Sequence, residues 1–131
     1  MAQVGKLEST VSVRFPEMRL RLRQAVNTLC DRELHERLWI RGERASSSEL
    51  GFDDTLLFLV DEMEMFAPTD LVGDVLVDDA ELDAFLCLSA ALGGVVDAIG
   101  EHGTYADALK VDEAWQAVLE AARLMRNLLD R

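Results

Sequence analysis

The chain has 131 residues, of which 25 are Asp or Glu and 13 are Lys or Arg, so its formal net charge is −12. Half of the residues are hydrophobic, which argues against an intrinsically disordered chain, and the length is typical of one domain with its own core. So acidic a chain repels nucleic acid phosphates and anionic lipids, which excludes both as expected partners. We predict a single helical domain over residues 1–131, with residues 1–12 flexible.

The acidic residues are concentrated in the middle of the chain. Residues 1–44 hold nine basic and six acidic residues, whereas residues 45–109 hold fifteen acidic residues and neither Lys nor Arg. Residues 110–131 are balanced, with four of each sign. A field of this kind favours cations or basic proteins as partners.

Apolar residues at helical spacing predict five main helices. Their expected ranges are 16–30, 31–41, 53–66, 79–99 and 113–130. A single helical turn is expected over 105–109, and residues 11–15 and 73–77 could form a short two-stranded element. The predicted fold class is an all-α, single-domain bundle.

Turn and capping residues mark several of the predicted helix ends. Pro16 suits the first turn of a helix, and Gly42 suits a C-terminal cap. Asp53 or Asp54 is the expected cap of the third helix, and Pro68 is expected to stop it. Asp78 and Glu81 have the spacing of a capping box at the fourth helix.

The first helix carries three arginines, at positions 19, 21 and 23. Because the acidic middle contains no cation, we predict that Arg19 and Arg23 form ion pairs with it and dock the first helix on the third. The expected acidic partners are Asp53, Asp54, Asp61 and Glu62.

Cys30 and Cys87 both lie in apolar helical patterns, so we expect two free, buried thiols. The first residues do not form an apolar signal sequence, and no apolar run reaches about 18 residues without a charge. The sequence therefore predicts a cytoplasmic protein without a transmembrane helix.

No catalytic motif is recognisable in the sequence: the phosphate-binding glycine loops, the hydrolase GxSxG pattern and the metalloprotease HExxH pattern are all missing. His35 lies among charged residues and is expected at the surface, and His102 lies in a glycine-flanked turn. Nothing places two acids on either side of a substrate groove, as a carboxylate-pair hydrolase would need. We predict no enzymatic activity, no catalytic residue and no cofactor.

The carboxylates offer one alternative, a metal site. Asp70, Asp74 and Asp78 recur at intervals of four, and hard cations need several converging oxygens. The alternating acids and the glycine of an EF-hand loop are missing, so we predict no metal ligand and keep a carboxylate metal-binding protein as the alternative.

A protein-binding surface is the preferred interpretation. Met63, Met65 and Phe66 interleave with acids, and such apolar side chains could serve as anchors in an interface with a basic protein. The candidate partner-binding residues are Asp53, Asp54, Asp61, Glu62, Glu64, Met65, Asp70 and Asp74. The competing interpretation is a structural or regulatory domain whose acidity serves solubility, with the acids scattered and Met63, Met65 and Phe66 buried.

Several short motifs resemble an uncharacterised family of small, acidic, helical proteins of actinobacteria. They are residues 13–19 (VRFPEMR), Asp31, Trp39, residues 52–54 (FDD), residues 61–62 (DE) and residues 73–76 (GDVL). The family broadly resembles the small acidic immunity proteins that accompany polymorphic toxins. The resemblance implies a bacterial, inhibitor-like role, and it assigns no functional residue.

Overall fold

The computed structural model describes residues 13–45, 49–100 and 103–130. Seven α-helices lie in this part of the chain: α1 (Pro16–Cys30), α2 (Arg32–Leu34), α3 (Phe52–Leu56), α4 (Pro68–Asp74), α5 (Asp79–Ile99), α6 (Tyr105–Lys110) and α7 (Asp112–Leu129). A π-helical segment over His35–Ile40 continues α2. Another over Leu57–Glu62 continues α3 and leads into a 3-10 turn at Met63–Met65. The predicted all-α class is confirmed, while the expected flexibility of residues 1–12 lies outside the described residues.

The core is formed mainly by α5 and α7, which pack along each other, with α1 packed against α7. Each of these helices buries the apolar stripe that its sequence repeats every three or four residues. The fully buried side chains of these three helices include Leu22, Val26, Leu29, Leu88, Leu92, Val95, Val118, Ala122 and Met125. Apolar burial on this scale is the main force that holds the bundle together.

The chain segment before α1 is joined to the end of α4. The Arg14 N–H donates to the Gly73 carbonyl and the Phe15 N–H to the Asp74 carbonyl, both at 2.8 Å. Gly73 has a φ of +104°, a backbone conformation that favours glycine, and it turns the chain here. The predicted two-stranded element is therefore present only as this contact, because no strand forms in the described residues and residues 11–12 lie outside them.

A buried ion pair connects α1 with the first turn of α5. Arg19 is 5% exposed and Glu81 is fully buried. The Arg19 Nη1 lies 2.7 Å from Glu81 Oε1, and Nη2 lies 2.9 Å from Oε2, so the pair is bidentate. Arg19 also donates to the Val75 carbonyl at 3.1 Å.

Glu81 is further held by the backbone at the start of its helix. Its Oε1 accepts the Val77 N–H at 2.9 Å, and its own N–H donates to Asp78 Oδ1 at 3.0 Å. The predicted capping role of Asp78 is confirmed. Burial acts to raise the pKa of Glu81, but the bonds from Arg19 and Val77 and the Arg19 charge outweigh it, so the pKa lies below its ordinary value.

The predicted partners of Arg19 and Arg23 are wrong. Arg19 faces inward and binds Glu81, while Arg23 lies 2.9 Å from Asp130, beyond the end of α7. Arg21 is the arginine that reaches the third helix, with Nη2 3.0 Å from Glu62 and the guanidinium stacked 4.5 Å from the ring centre of Phe58. Helical positions two apart point to nearly opposite sides, so Arg21 faces away from Arg19 and Arg23, which lie one turn apart and contact different neighbours.

Several other expectations need correction. The third helix is capped by Gly51 rather than by Asp53 or Asp54, and it ends at Met65, so that Pro68 begins α4 instead of stopping its predecessor. Cys30 is half-buried, and burial raises the pKa of its thiol, but Cys87 is exposed. Proline in a first helical turn costs nothing, which explains its position in α4.

By length and apolar composition, α5 would suffice to cross a membrane, with a mean hydropathy of 1.8 over its most apolar 18 residues. The sequence predicted no transmembrane helix because charged residues interrupt every long apolar run. In α5 these acids lie near the two ends, so a long apolar stretch remains between them. A core helix of a soluble protein meets the same criterion, so the feature assigns no location.

Candidate functional site

The stretch from Phe52 to Met65 presents acids and apolar side chains on one outer surface. Its inward positions carry Phe52, Phe58 and Met63, which are buried. Four exposed side chains of this stretch, those of Asp53, Asp54, Leu57 and Asp61, line one cleft and therefore share a face, and Glu64 and Met65 are exposed in the 3-10 turn that follows. We call this surface the acidic face; its exposed residues are Asp53, Asp54, Leu57, Asp61, Glu64 and Met65.

A cleft of about 380 Å³ opens beside the acidic face, between α3 and the end of α5. Asp53, Asp54 and Asp61 line it. Apolar side chains make up the rest of the lining: Leu56, Leu57, Val60, Val96 and Ile99. The cleft therefore combines apolar contact area with negative charge, which suits a basic, amphipathic group of a partner.

The carboxylates of Asp53, Asp54, Asp61 and Glu64 form no ion pair with any described Lys or Arg. The arginines that do form ion pairs bind acids outside this set; Arg37, for example, binds Glu49. None of these four carboxylates is thus neutralised by an ion pair within the described residues, although Arg21 and Arg44 each line a cleft together with Asp54.

The eight candidate partner-binding residues are brought together only in part. Five of them lie on the acidic face: Asp53, Asp54, Asp61, Glu64 and Met65. Glu62 is turned towards Arg21, and Asp70 and Asp74 belong to α4. Whether any of them binds a partner stays a prediction.

The three apolar side chains that interleave with acids differ in their burial. Met63 is buried in the core, Phe66 is half-buried, and Met65 is 84% exposed. Leu57, which the sequence analysis did not single out, is also exposed. Its exposure could have been predicted from the sequence, because Leu57 lies four residues after Asp53 and four before Asp61, on the same side of a helix.

Beneath the start of α3 lies an aromatic cluster that the sequence analysis missed. Its members are His35, Trp39, Phe52, Tyr105 and Trp115. The His35 ring stacks on Trp39 with ring centres 4.1 Å apart and planes 5° apart, and Tyr105 meets both rings edge-on. A second cleft, of about 470 Å³, opens above Trp39, Phe52 and Tyr105. The cluster supports the start of the acidic face from below.

The surface position expected for His35 is wrong, because its side chain is only 2% exposed. Its Nε2 donates to the Thr28 carbonyl at 2.7 Å, since a carbonyl can only accept. Burial lowers the pKa of His35 below its ordinary value, and the Thr28 carbonyl and the Asp31 charge offset this only in part. The neutral ring is therefore the form that the fold accommodates. His102 lies outside the described residues.

We expect acid to destabilise the fold through His35. Because its folded-state pKa is lowered, its contribution is complete above the unfolded value of about 6.5 and is lost as pH falls below it. Nuclear magnetic resonance should show one of the two histidines titrating below that value, and the variant His35→Gln should identify the signal. A titration of His35 at or above the ordinary value would contradict this prediction.

No group of three or more His, Cys, Asp or Glu side chains within residues 13–45, 49–100 and 103–130 is arranged to hold a metal ion. Asp70, Asp74 and Asp78, the candidates by spacing, are separated by the turn at Gly73. The predicted lack of a metal stays a prediction.

Fold and surface together define a small, all-helical domain with an acidic outer face. A family model described as Domain of unknown function (DUF7945) matches residues 13–131, and the chain belongs to this family. The resemblance to an uncharacterised family is thereby confirmed in its coarse form. No curated protein and no solved structure matches the chain significantly.

Proposed function

We propose that this protein is a non-enzymatic binding domain whose acidic face docks on a basic surface of a partner protein and blocks it. The observation that carries the proposal is the cleft lined by Asp53, Asp54, Asp61 and the exposed Leu57, with Glu64 and Met65 exposed in the adjoining 3-10 turn. Charge would steer the approach of the partner, and the two apolar side chains would be buried on contact.

The uncompensated charge of this face supports a use beyond solubility. A surface evolved only for solubility mixes both signs of charge, whereas residues 45–109 contain no cation at all. A stoichiometric inhibitor of this kind works as an immunity protein does, by covering a cationic site, and it would act in the cytoplasm. No catalytic step and no cofactor form part of the proposal.

A structural or regulatory domain is the competing role, and two observations favour it. Met63 is part of the core, and Asp70 and Asp74 lie outside the acidic face. Under this alternative the acids keep the domain soluble, and their exact positions on the surface do not matter.

Charge reversal on the acidic face should abolish partner binding without unfolding the domain. The variant Asp54→Lys/Asp61→Lys/Glu64→Lys alters three exposed acids that form no ion pair with a described residue. The purified wild-type chain and the variant are each used as bait at low ionic strength in an extract of the native host. We expect the wild type to retain a basic protein that the variant loses and that salt releases.

A matched control separates the position of the charges from their number. The variant Glu17→Lys/Glu33→Lys/Glu113→Lys changes three exposed acids elsewhere and alters the net charge equally. The control should retain the partner that the face variant loses. Equal retention by both variants, or loss from both, would favour the structural role.

A further inference from the structure

A second surface combines an apolar floor with acidic edges. It is a groove of about 590 Å³ between α5 and α7. Its apolar lining consists of Ala84, Cys87, Ala117, Ala121, Leu124 and Leu128. Among these, Leu124 is 62% exposed and offers apolar area to a molecule seated in the groove.

The shape of this groove suits a helix. Four of the lining residues are Ala or Cys, and small side chains let another helix backbone approach closely. The lining spans residues 117–128 of α7, which is about three helical turns, and residues 83–87 of α5, so the groove can follow about three turns of another helix. Amphipathic helices bind such grooves through an apolar stripe spaced at three and four residues.

The charged residues that line the groove determine which kind of helix it can bind. Both charged residues that line it are acids, Asp83 from α5 and Glu120 from α7. Lipid headgroups of negative charge are repelled by this rim. A second copy of the chain, seated groove against groove, would bring like charges together, which is unfavourable.

We propose that the groove between α5 and α7 binds an amphipathic helix of a partner protein, with an apolar stripe flanked by Lys or Arg. The apolar stripe lies on the small side chains and against Leu124, and the flanking cations reach Asp83 and Glu120. The groove shares no lining residue with the acidic face, so this proposal does not depend on the function proposed above.

The test uses a fluorescent synthetic peptide of about 18 residues, or roughly five helical turns, with leucines along one face and lysines beside them. A matched peptide carries glutamates in place of the lysines. Fluorescence anisotropy with the full chain should show saturable binding of the lysine peptide and much weaker binding of the glutamate peptide.

Reversal of the rim should reverse this preference. We expect Asp83→Lys/Glu120→Lys to weaken binding of the lysine peptide by roughly tenfold and to strengthen binding of the glutamate peptide, because each exposed charge pair contributes modestly. The variant Ala117→Lys/Leu124→Lys should block the groove for both peptides. Its matched control, Leu20→Lys/Ala106→Lys, alters the same residue types at exposed positions outside the groove and should bind as the wild type does.

Three results would overturn the proposal. One is lack of saturable binding of the lysine peptide. Another is equal binding by the groove variant and the wild type, or loss of binding only in the acidic-face variant, which would place the peptide elsewhere. The third is groove-dependent association of the chain with zwitterionic lipid vesicles or with itself, seen by sedimentation, in place of peptide binding.

Discussion

Replacing Glu81 by Ala should destabilise the fold by about 3–5 kcal/mol, because it leaves the Arg19 guanidinium buried without its counter-charge. The Val77 N–H loses its acceptor in the same variant. Urea denaturation followed by circular dichroism should show a lower midpoint with an unchanged slope. The exposed control Glu113→Ala should stay within about 0.5 kcal/mol of the wild type.

A double replacement tests whether the loss of stability comes from the unpaired Arg19 charge or from lost packing at position 81. In Arg19→Met/Glu81→Leu both charges are gone, and similar apolar volume remains. Since buried pairs replaced together by apolar residues often lose little stability, we expect the double variant to regain most of the loss. A single Glu81→Ala variant within about 1 kcal/mol of the wild type would show that water reaches Arg19 in solution.

Replacing Trp115 by Ala should have an effect of similar size, about 3–5 kcal/mol, because the side chain is buried in the aromatic cluster. Its ring meets Tyr105 at 5.6 Å and Phe52 at 6.0 Å between ring centres. The loss therefore loosens α6 and the start of α3 together. Near-ultraviolet circular dichroism and urea denaturation measure both consequences.

Two controls accompany the Trp115 variant. Leu124→Ala removes an exposed apolar side chain from the same helix and should cost less than about 0.5 kcal/mol. Trp115→Phe keeps an aromatic ring and should lie between the wild type and the Ala variant. A Trp115→Ala variant with native stability would mean that the cluster does not support the fold.

The sequence predicts the long helices well because their signals are local. Pro16 marks the start of α1, and Asp78 caps α5, whose observed range of Asp79–Ile99 agrees with the prediction. The buried position of His35 was not predicted, because its burial depends on Tyr105 and Trp115, which only the tertiary fold brings close to it. Helical periodicity cannot report contacts between distant segments.

In the candidate site, too, the features with local signals could be predicted and those that depend on tertiary structure could not. Helical spacing places Asp53, Leu57 and Asp61 on one side of a helix, and all three line the same cleft. The positions of Asp70 and Asp74 relative to the acidic face depend on the turn at Gly73, which the spacing of apolar residues does not predict. Glu81 is one acid among fifteen in its region, and nothing in the neighbouring residues shows that it, unlike the other acids that the structure describes there, is fully buried.

The separation of Arg19 and Glu81 by 62 positions also has a consequence for the order in which the chain is made. During translation α1 emerges first, with a guanidinium on its inward side that has no carboxylate to meet until the start of α5 has been synthesised. A nascent chain interrupted before Glu81 would carry a charge without a partner on the inward side of α1, and we expect it to stay open to proteases. Because α1 packs mainly against α7, its apolar stripe is covered later still, when the C-terminal helix has been made.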